Sequence, residues 1–154
     1  MKLAHNVKLS VFCKPEEDYD KIKSSFLKLV PFNLEEEKLS LEEMNASTFN
    51  ERTIKIIELT LEREKHTNKF LGFLLKNLNE EQKQLLLRQL DSRIDNNLYF
   101  YIRLDKKKLI EEDKFWVTDS GECYHIRISV AAFPSNRETA MKVIKEFLET
   151  EQFI

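Results

Sequence analysis

Tyr99, Tyr101 and Arg103 occupy alternate positions in one short stretch, and His125 and Arg127 do so in another. Successive side chains of a β-strand point to opposite faces, so a period of two places each set on one side of its strand. Aromatic rings interleaved with cations on an open sheet can grip an unpaired nucleic-acid strand. The rings stack on bases, worth about 1–3 kcal/mol each, and the cations meet phosphates. Lys8 belongs to a third alternating stretch, with Ser10 and Phe12 on its side. Lys106, Lys107 and Lys108 directly follow the stretch that holds Arg103, so residues 99–108 hold four cations against the single acid Asp105. A plainer reading stands beside this one: tyrosines favour strands for cross-strand packing, and a solvated sheet face carries lysine and arginine anyway.

Other chemistry is thinly provided for. His125 could serve as a general base with Asp119 and Ser120, but Asp119-Ser120-Gly121 reads as turn-forming sequence and His125 lies in the strand beyond it. Two glycines in 154 residues leave no glycine-rich phosphate loop, neither of the Walker type nor of the dinucleotide-binding type. Cys13 and Cys123, with His5, His66 and His125, lack zinc-ligand spacing, and the two thiols read as reduced, small apolar residues. The acidic runs at 35–37, 42–43 and 111–113 read as solvated charge rather than metal sites. No catalytic group, cofactor or metal is expected, and the chain is not expected to be an enzyme.

What must position the rings and cations is a core, and the composition supplies one. The chain is 42% hydrophobic and 34% charged, with 11 Phe and a formal net charge of −2 at 18.4 kDa. That is the size of one domain, taken as residues 1–154, and it has the apolar content that disordered segments lack. Nothing approaches 18 consecutive apolar residues, and the first residues lack a secretory signal, which predicts a soluble, cytoplasmic protein without a membrane partner.

Alternation of Val7, Leu9, Val11 and Cys13 predicts a strand over 4–13. Pro15 and the acids 16–18 open a helix whose stripe is Tyr19, Ile22, Phe26, Leu29 and Val30, and Pro31 ends it. Leu39 and Leu41 suggest an edge strand within Glu35–Glu43. A polar connector over Met44–Arg52 and a strand over Thr53–Arg63 follow, with a bulge where Ile56 and Ile57 break step. A helix over 64–78 and a second to about 91, capped by Asn79 with Gln82 as its capping-box partner, form a helical hairpin. Asn97–Leu104 reads as a strand ended by Asp105, which caps a short turn over Lys106–Glu111. Phe115–Val117 and Tyr124–Phe133 read as the arms of a hairpin. Ser135 with Glu138 boxes the start of a last helix with the stripe Ala140, Ile144, Phe147 and Leu148.

The order does not alternate strictly between strand and helix. The economical packing is an α+β two-layer sandwich, a mostly antiparallel sheet with helices packed on one face. The open face then carries Lys8, Ser10, Phe12, Tyr99, Tyr101, Arg103, His125, Arg127 and Ser129. Leu59 and Leu61 inward would also put Glu58, Thr60 and Glu62 there, where they repel phosphate, unless their strand lies at the far edge.

The run from Gln84-Leu85-Leu86-Leu87-Arg88-Gln89-Leu90-Asp91 through Leu98-Tyr99-Phe100-Tyr101-Ile102-Arg103-Leu104-Asp105-Lys106 to His125-Ile126-Arg127-Ile128 and Ala132-Phe133-Pro134 resembles an archaeal family of small RNA-binding domain proteins. These are described as predicted exosome subunits, with a fold related to a large-subunit ribosomal protein. The resemblance is strongest over the last two-thirds of the chain. Where family members carry glycines before the third strand, this chain has Asn45-Ala46-Ser47-Thr48-Phe49-Asn50, so no loop contact is transferred there. The resemblance implies non-catalytic RNA binding linked to RNA processing or decay, with RNA and exosome or other RNA-processing proteins as partners. The alternative is a protein-interaction subunit that docks its sheet on a larger complex without touching RNA.

Overall fold

A computed structural model describes residues 2–47, 50 and 52–150. Five strands, β1 (Ala4–Cys13), β2 (Glu42–Ser47), β3 (Thr53–Leu61), β4 (Tyr99–Asp105) and β5 (Cys123–Val130), form one sheet in the order β2-β3-β1-β5-β4. Every neighbouring pair is antiparallel. Among the described residues the helices are α1 (Tyr19–Leu27), α2 (Glu64–Asn77), α3 (Glu80–Arg88), α4 (Leu90–Arg93), α5 (Lys106–Glu112) and α6 (Arg137–Glu149). The fold is α+β, with the helices on one face of an open antiparallel sheet.

Alternation decides which face they cover. Val7, Leu9 and Val11 of β1, Leu59 and Leu61 of β3, Phe100, Ile102 and Leu104 of β4, and Tyr124, Ile126 and Ile128 of β5 are all buried. They pack under Ile22 and Phe26 of α1, Phe70, Leu71 and Leu74 of α2, and Ala140, Ile144 and Phe147 of α6. Truncating one of the wholly buried rings, such as Phe100, removes about 3–5 kcal/mol of stability. Tyr124 keeps its buried hydroxyl satisfied by the hydroxyl of Ser25, and burial pushes its pKa up to about 12. No helix among the described residues is long and apolar enough to cross a membrane.

Several local expectations are corrected. The segment around Glu35–Glu43 is mostly turn, closed by Asn33, whose side chain accepts from the Glu36 N–H at 2.9 Å. The edge strand begins only at Glu42 and runs into what reads as a connector, of which Thr48, Phe49 and Glu51 lie outside the described residues. β3 has no bulge: its ladders to β1 and β2 are unbroken, Ile56 facing Phe12 and Met44 while Ile57 faces Val11. The register shift lies in β1, between Ala4 and Asn6.

Phe115–Val117 does not pair with β5, which already has β1 and β4 as neighbours. The segment runs instead along the outer edge of β4, where the Asp105 N–H donates to Trp116 O at 2.8 Å and the Thr118 N–H to Arg103 O at 2.9 Å. β5 also stops at Val130, short of Phe133. Helix caps shift as well. Asp18 caps α1 and Asn136, not Ser135, caps α6. Asn79 caps α3 as expected, but the Gln82 side chain accepts from the buried Val117 N–H instead of closing a capping box. α3 packs against α4 and α6 rather than forming a hairpin with α2.

Candidate nucleic-acid interface

Antiparallel register brings the alternating outward residues into rows across the open face. One row runs Thr60, Lys8, Arg127, Tyr101, and the next runs Glu58, Ser10, His125, Arg103, with Glu42 opposite Glu58 at its β2 end. Tyr99 stands opposite Ser129 beyond the first row. Tyr99, Tyr101, Arg103, His125 and Arg127 thus share the face that the helices leave open. Tyr101 is 38% exposed, Arg103 is exposed, and Tyr99 and Arg127 are half-buried against each other.

Each of these groups is held by a specific neighbour. The Arg127 guanidinium lies over the Tyr99 ring at 4.4 Å, a cation–π contact, and its Nε is buried without a hydrogen-bond partner. Tyr99 and Tyr101 have ring centroids 6.3 Å apart. Asp95, in the turn before β4, accepts from the backbone N–H groups of Asn97 and Tyr99 and from the Tyr101 hydroxyl, at 2.9, 3.0 and 2.9 Å. Burial pushes the Asp95 carboxyl up, but these hydrogen bonds and the Arg127 charge outweigh it and hold its pKa below the usual carboxylate range. Leu98 takes a left-handed backbone, φ 65°, to enter the strand from this turn. Arg103 donates to Asp119 O at 3.2 Å.

His125 is packed rather than poised for catalysis. Its ring sits 5.7 Å from the exposed Phe12 ring, and its Nε2 is 3.8 Å from Cys123 Sγ. The Asp119 carboxylate that would orient a general base is bound instead by Arg93 and Gln89. Burial pushes the Cys123 thiol pKa up. Burial, then the charges of Arg103 and Lys106, hold His125 below its ordinary pKa of 6.5. As pH falls below that value, the unfolded chain takes up a proton before the folded one does. Stability is therefore lost from about pH 7 downward until the folded pKa is passed. His125→Gln is expected to flatten the urea-midpoint profile over that window.

Of the basic edge expected over residues 106–108, Lys106 does not reach the surface. Lys106 is buried, 5% exposed, because the first turn of α5 points it inward. Its ammonium donates to Phe12 O at 2.7 Å and to both Glu17 carboxylate oxygens at 3.2 Å. With those partners its ammonium is closed to a phosphate at the open face. Lys108 pairs with Glu112 at 3.1 Å and lies over the Trp116 ring. Lys107 is exposed, on a cleft that also holds Glu17, Glu111 and Glu122. Lys8 is on the open face but pairs with Glu58 at 2.8 Å. β3 is not at the sheet edge but next to β1, so Glu58 does lie inside the face. Asp95, Asp119 and Arg93, which position the tyrosines and Arg103, carry no mark in the sequence beyond the turn residues at 119–121.

A family model described as RNA binding matches residues 6–131. The chain is 28% identical over 149 residues to the RNA-binding protein PAB1135 of Pyrococcus abyssi, covering 96% of each. It is 29% identical over 146 residues to the uncharacterized protein MJ0213 of Methanocaldococcus jannaschii, covering 92% of this chain and 95% of that one. Its fold matches the crystal structure of protein AF2318 from Archaeoglobus fulgidus with a TM-score of 0.83 at 24% identity, over 94% of this chain and 99% of that one. It also matches Mth689 from Methanothermobacter thermautotrophicus with a TM-score of 0.76 at 23% identity, over 96% and 99% of the two chains.

Proposed function

The chain belongs to the RNA-binding family whose model it matches over residues 6–131, and from that premise we propose that it binds RNA on the open face of its sheet without catalysing a reaction. The observation that carries the reading is the adjacency of Tyr99, Tyr101, Arg103 and Arg127 on the side that the helices leave uncovered. Tyr101 and the Phe12–His125 pair offer ring faces for bases, Arg103 and Arg127 meet phosphates, and Lys8 and Lys107 add positive charge at the margins. In titrations of the purified protein with labelled RNA, log K is expected to fall with log salt at a slope of about −2, the counterion release of two to three phosphate contacts. The RNA should come through intact. Absence of binding, or binding indifferent to salt, contradicts the reading.

On the strength of the sequence resemblance, the reading extends to RNA processing or decay in the company of exosome or other RNA-processing proteins. Affinity purification should then recover such proteins even after nuclease treatment. A second reading, docking on a protein partner through the sheet, is favoured by the apolar row Met44, Ile56 and Phe12, whose ends are 39% and 46% exposed. It requires a purified protein that ignores RNA.

A further inference from the structure

Charge divides the open face along the direction of the strands. β2 and β3 contribute Glu42 and Glu58, paired with each other across the ladder, whereas β5 and β4 contribute Arg127 and Arg103. Lys8 of β1 stands at the boundary, its ammonium 2.8 Å from the Glu58 carboxylate, with side chains 32% and 18% exposed. Adjacent strands lie about 4.8 Å apart, so the cationic strip over β1, β5 and β4 is about 10 Å wide, with its own acids at its two ends, Asp95 bonded to the Tyr101 hydroxyl and Asp105 capping α5. At about 3.3 Å per residue the strip is about 13 Å long from Tyr99 to Arg103. Such a strip has room for one extended sugar–phosphate backbone. Its exposed rings, Tyr101 and Phe12, reward bases whose faces are free, which a duplex does not offer.

Resting on the RNA-binding reading, we propose that this face takes single-stranded RNA and that Glu58 determines that selectivity. Glu58 occupies Lys8, so a phosphate reaches this cation only by displacing a carboxylate. The next acid, Glu42, closes the path beyond it. A single strand offsets that displacement by stacking its bases on the exposed rings, whereas a duplex brings charge alone. Glu58 therefore weakens the binding of every polyanion but excludes most strongly those that cannot stack.

The test compares a 12-nucleotide polyuridine strand with a 12-base-pair RNA duplex, on the full chain and on Glu58→Gln, with Glu146→Gln as a charge-matched control on the exposed side of α6. The unmodified chain is expected to prefer the single strand. Glu58→Gln should tighten duplex binding about tenfold and single-strand binding about threefold, and it should steepen the salt slope on the single strand by about 0.7, one further phosphate contact. Glu146→Gln should move none of these. Lys8→Met, which removes the cation rather than its partner, should shift duplex binding the opposite way and serves as well if the Gln variant does not fold. The inference is overturned if Glu58→Gln leaves the preference unchanged, if Glu146→Gln matches it, or if the unmodified chain prefers the duplex. If the unmodified chain binds neither probe, the RNA-binding reading itself fails.

Discussion

Replacing both Arg103 and Arg127 with glutamate is expected to lower RNA affinity at least a hundredfold while the chain still folds. Each replacement removes a charge-assisted contact with phosphate and substitutes a repulsion on the same face, together about 1.5–2 kcal/mol per site. Two sites give 3–4 kcal/mol, and each 1.4 kcal/mol is a factor of ten in affinity. Arg127 also leaves the Tyr99 ring, 4.4 Å below its guanidinium, at a cost to stability of about 0.5–1 kcal/mol. That loss lies on the open face and leaves the core residues of β4 and β5 untouched. Fluorescence anisotropy should show the loss of binding and circular dichroism a native spectrum. The double glutamine variant, which removes charge without reversing it, should fall between the two. Unchanged affinity in the glutamate variant would place the RNA elsewhere.

The second large effect concerns stability. Arg93 is buried, and its guanidinium reaches the Asp119 carboxylate at 2.7 Å, the Gln89 side-chain oxygen at 2.7 and 2.9 Å, and the Tyr101 carbonyl at 3.3 Å. Burial lowers the Arg93 pKa and the Asp119 charge opposes that shift. Removing one partner of a buried ion pair costs about 3–5 kcal/mol because the other charge is left uncompensated. Here the Asp119 side chain is 66% exposed and Gln89 and the Tyr101 carbonyl remain, so Asp119→Ala is expected to cost about 2 kcal/mol in urea unfolding. Arg93→Met removes the charge together with its need for a partner and should cost less. In the Arg93→Met background, Asp119→Ala should cost almost nothing further. A full additive loss in the double variant would show that the two side chains are not coupled.

These two sites differ in how far the sequence discloses them. β1, β4 and β5 each pack one face on a core, so strict alternation announces both the strands and the outward residues Lys8, Tyr99, Tyr101, Arg103, His125 and Arg127. β2 carries no such signal, because an exposed edge strand with the sequence Glu42-Glu43-Met44-Asn45-Ala46-Ser47 buries no continuous stripe. The fate of the lysine triplet is equally hidden. Whether Lys106 faces water depends on α5 starting at once after β4 and on Glu17 and the Phe12 carbonyl arriving from the other end of the chain. The Arg93–Asp119 pair likewise joins a short helix to a turn that are adjacent only in the folded sheet layer. Ion pairs between distant segments leave no periodicity to read, which is why Glu58 reads as mere repulsion in the sequence and as the partner of Lys8 in the structure.

Ultraviolet crosslinking of the purified protein to RNA, with the crosslinked peptides mapped by mass spectrometry, tests most directly whether RNA lies on the uncovered side of the sheet. Crosslinks are predicted at Phe12, Tyr99, Tyr101 and His125. Crosslinks confined to the opposite layer, on α2 or α6, would contradict that placement.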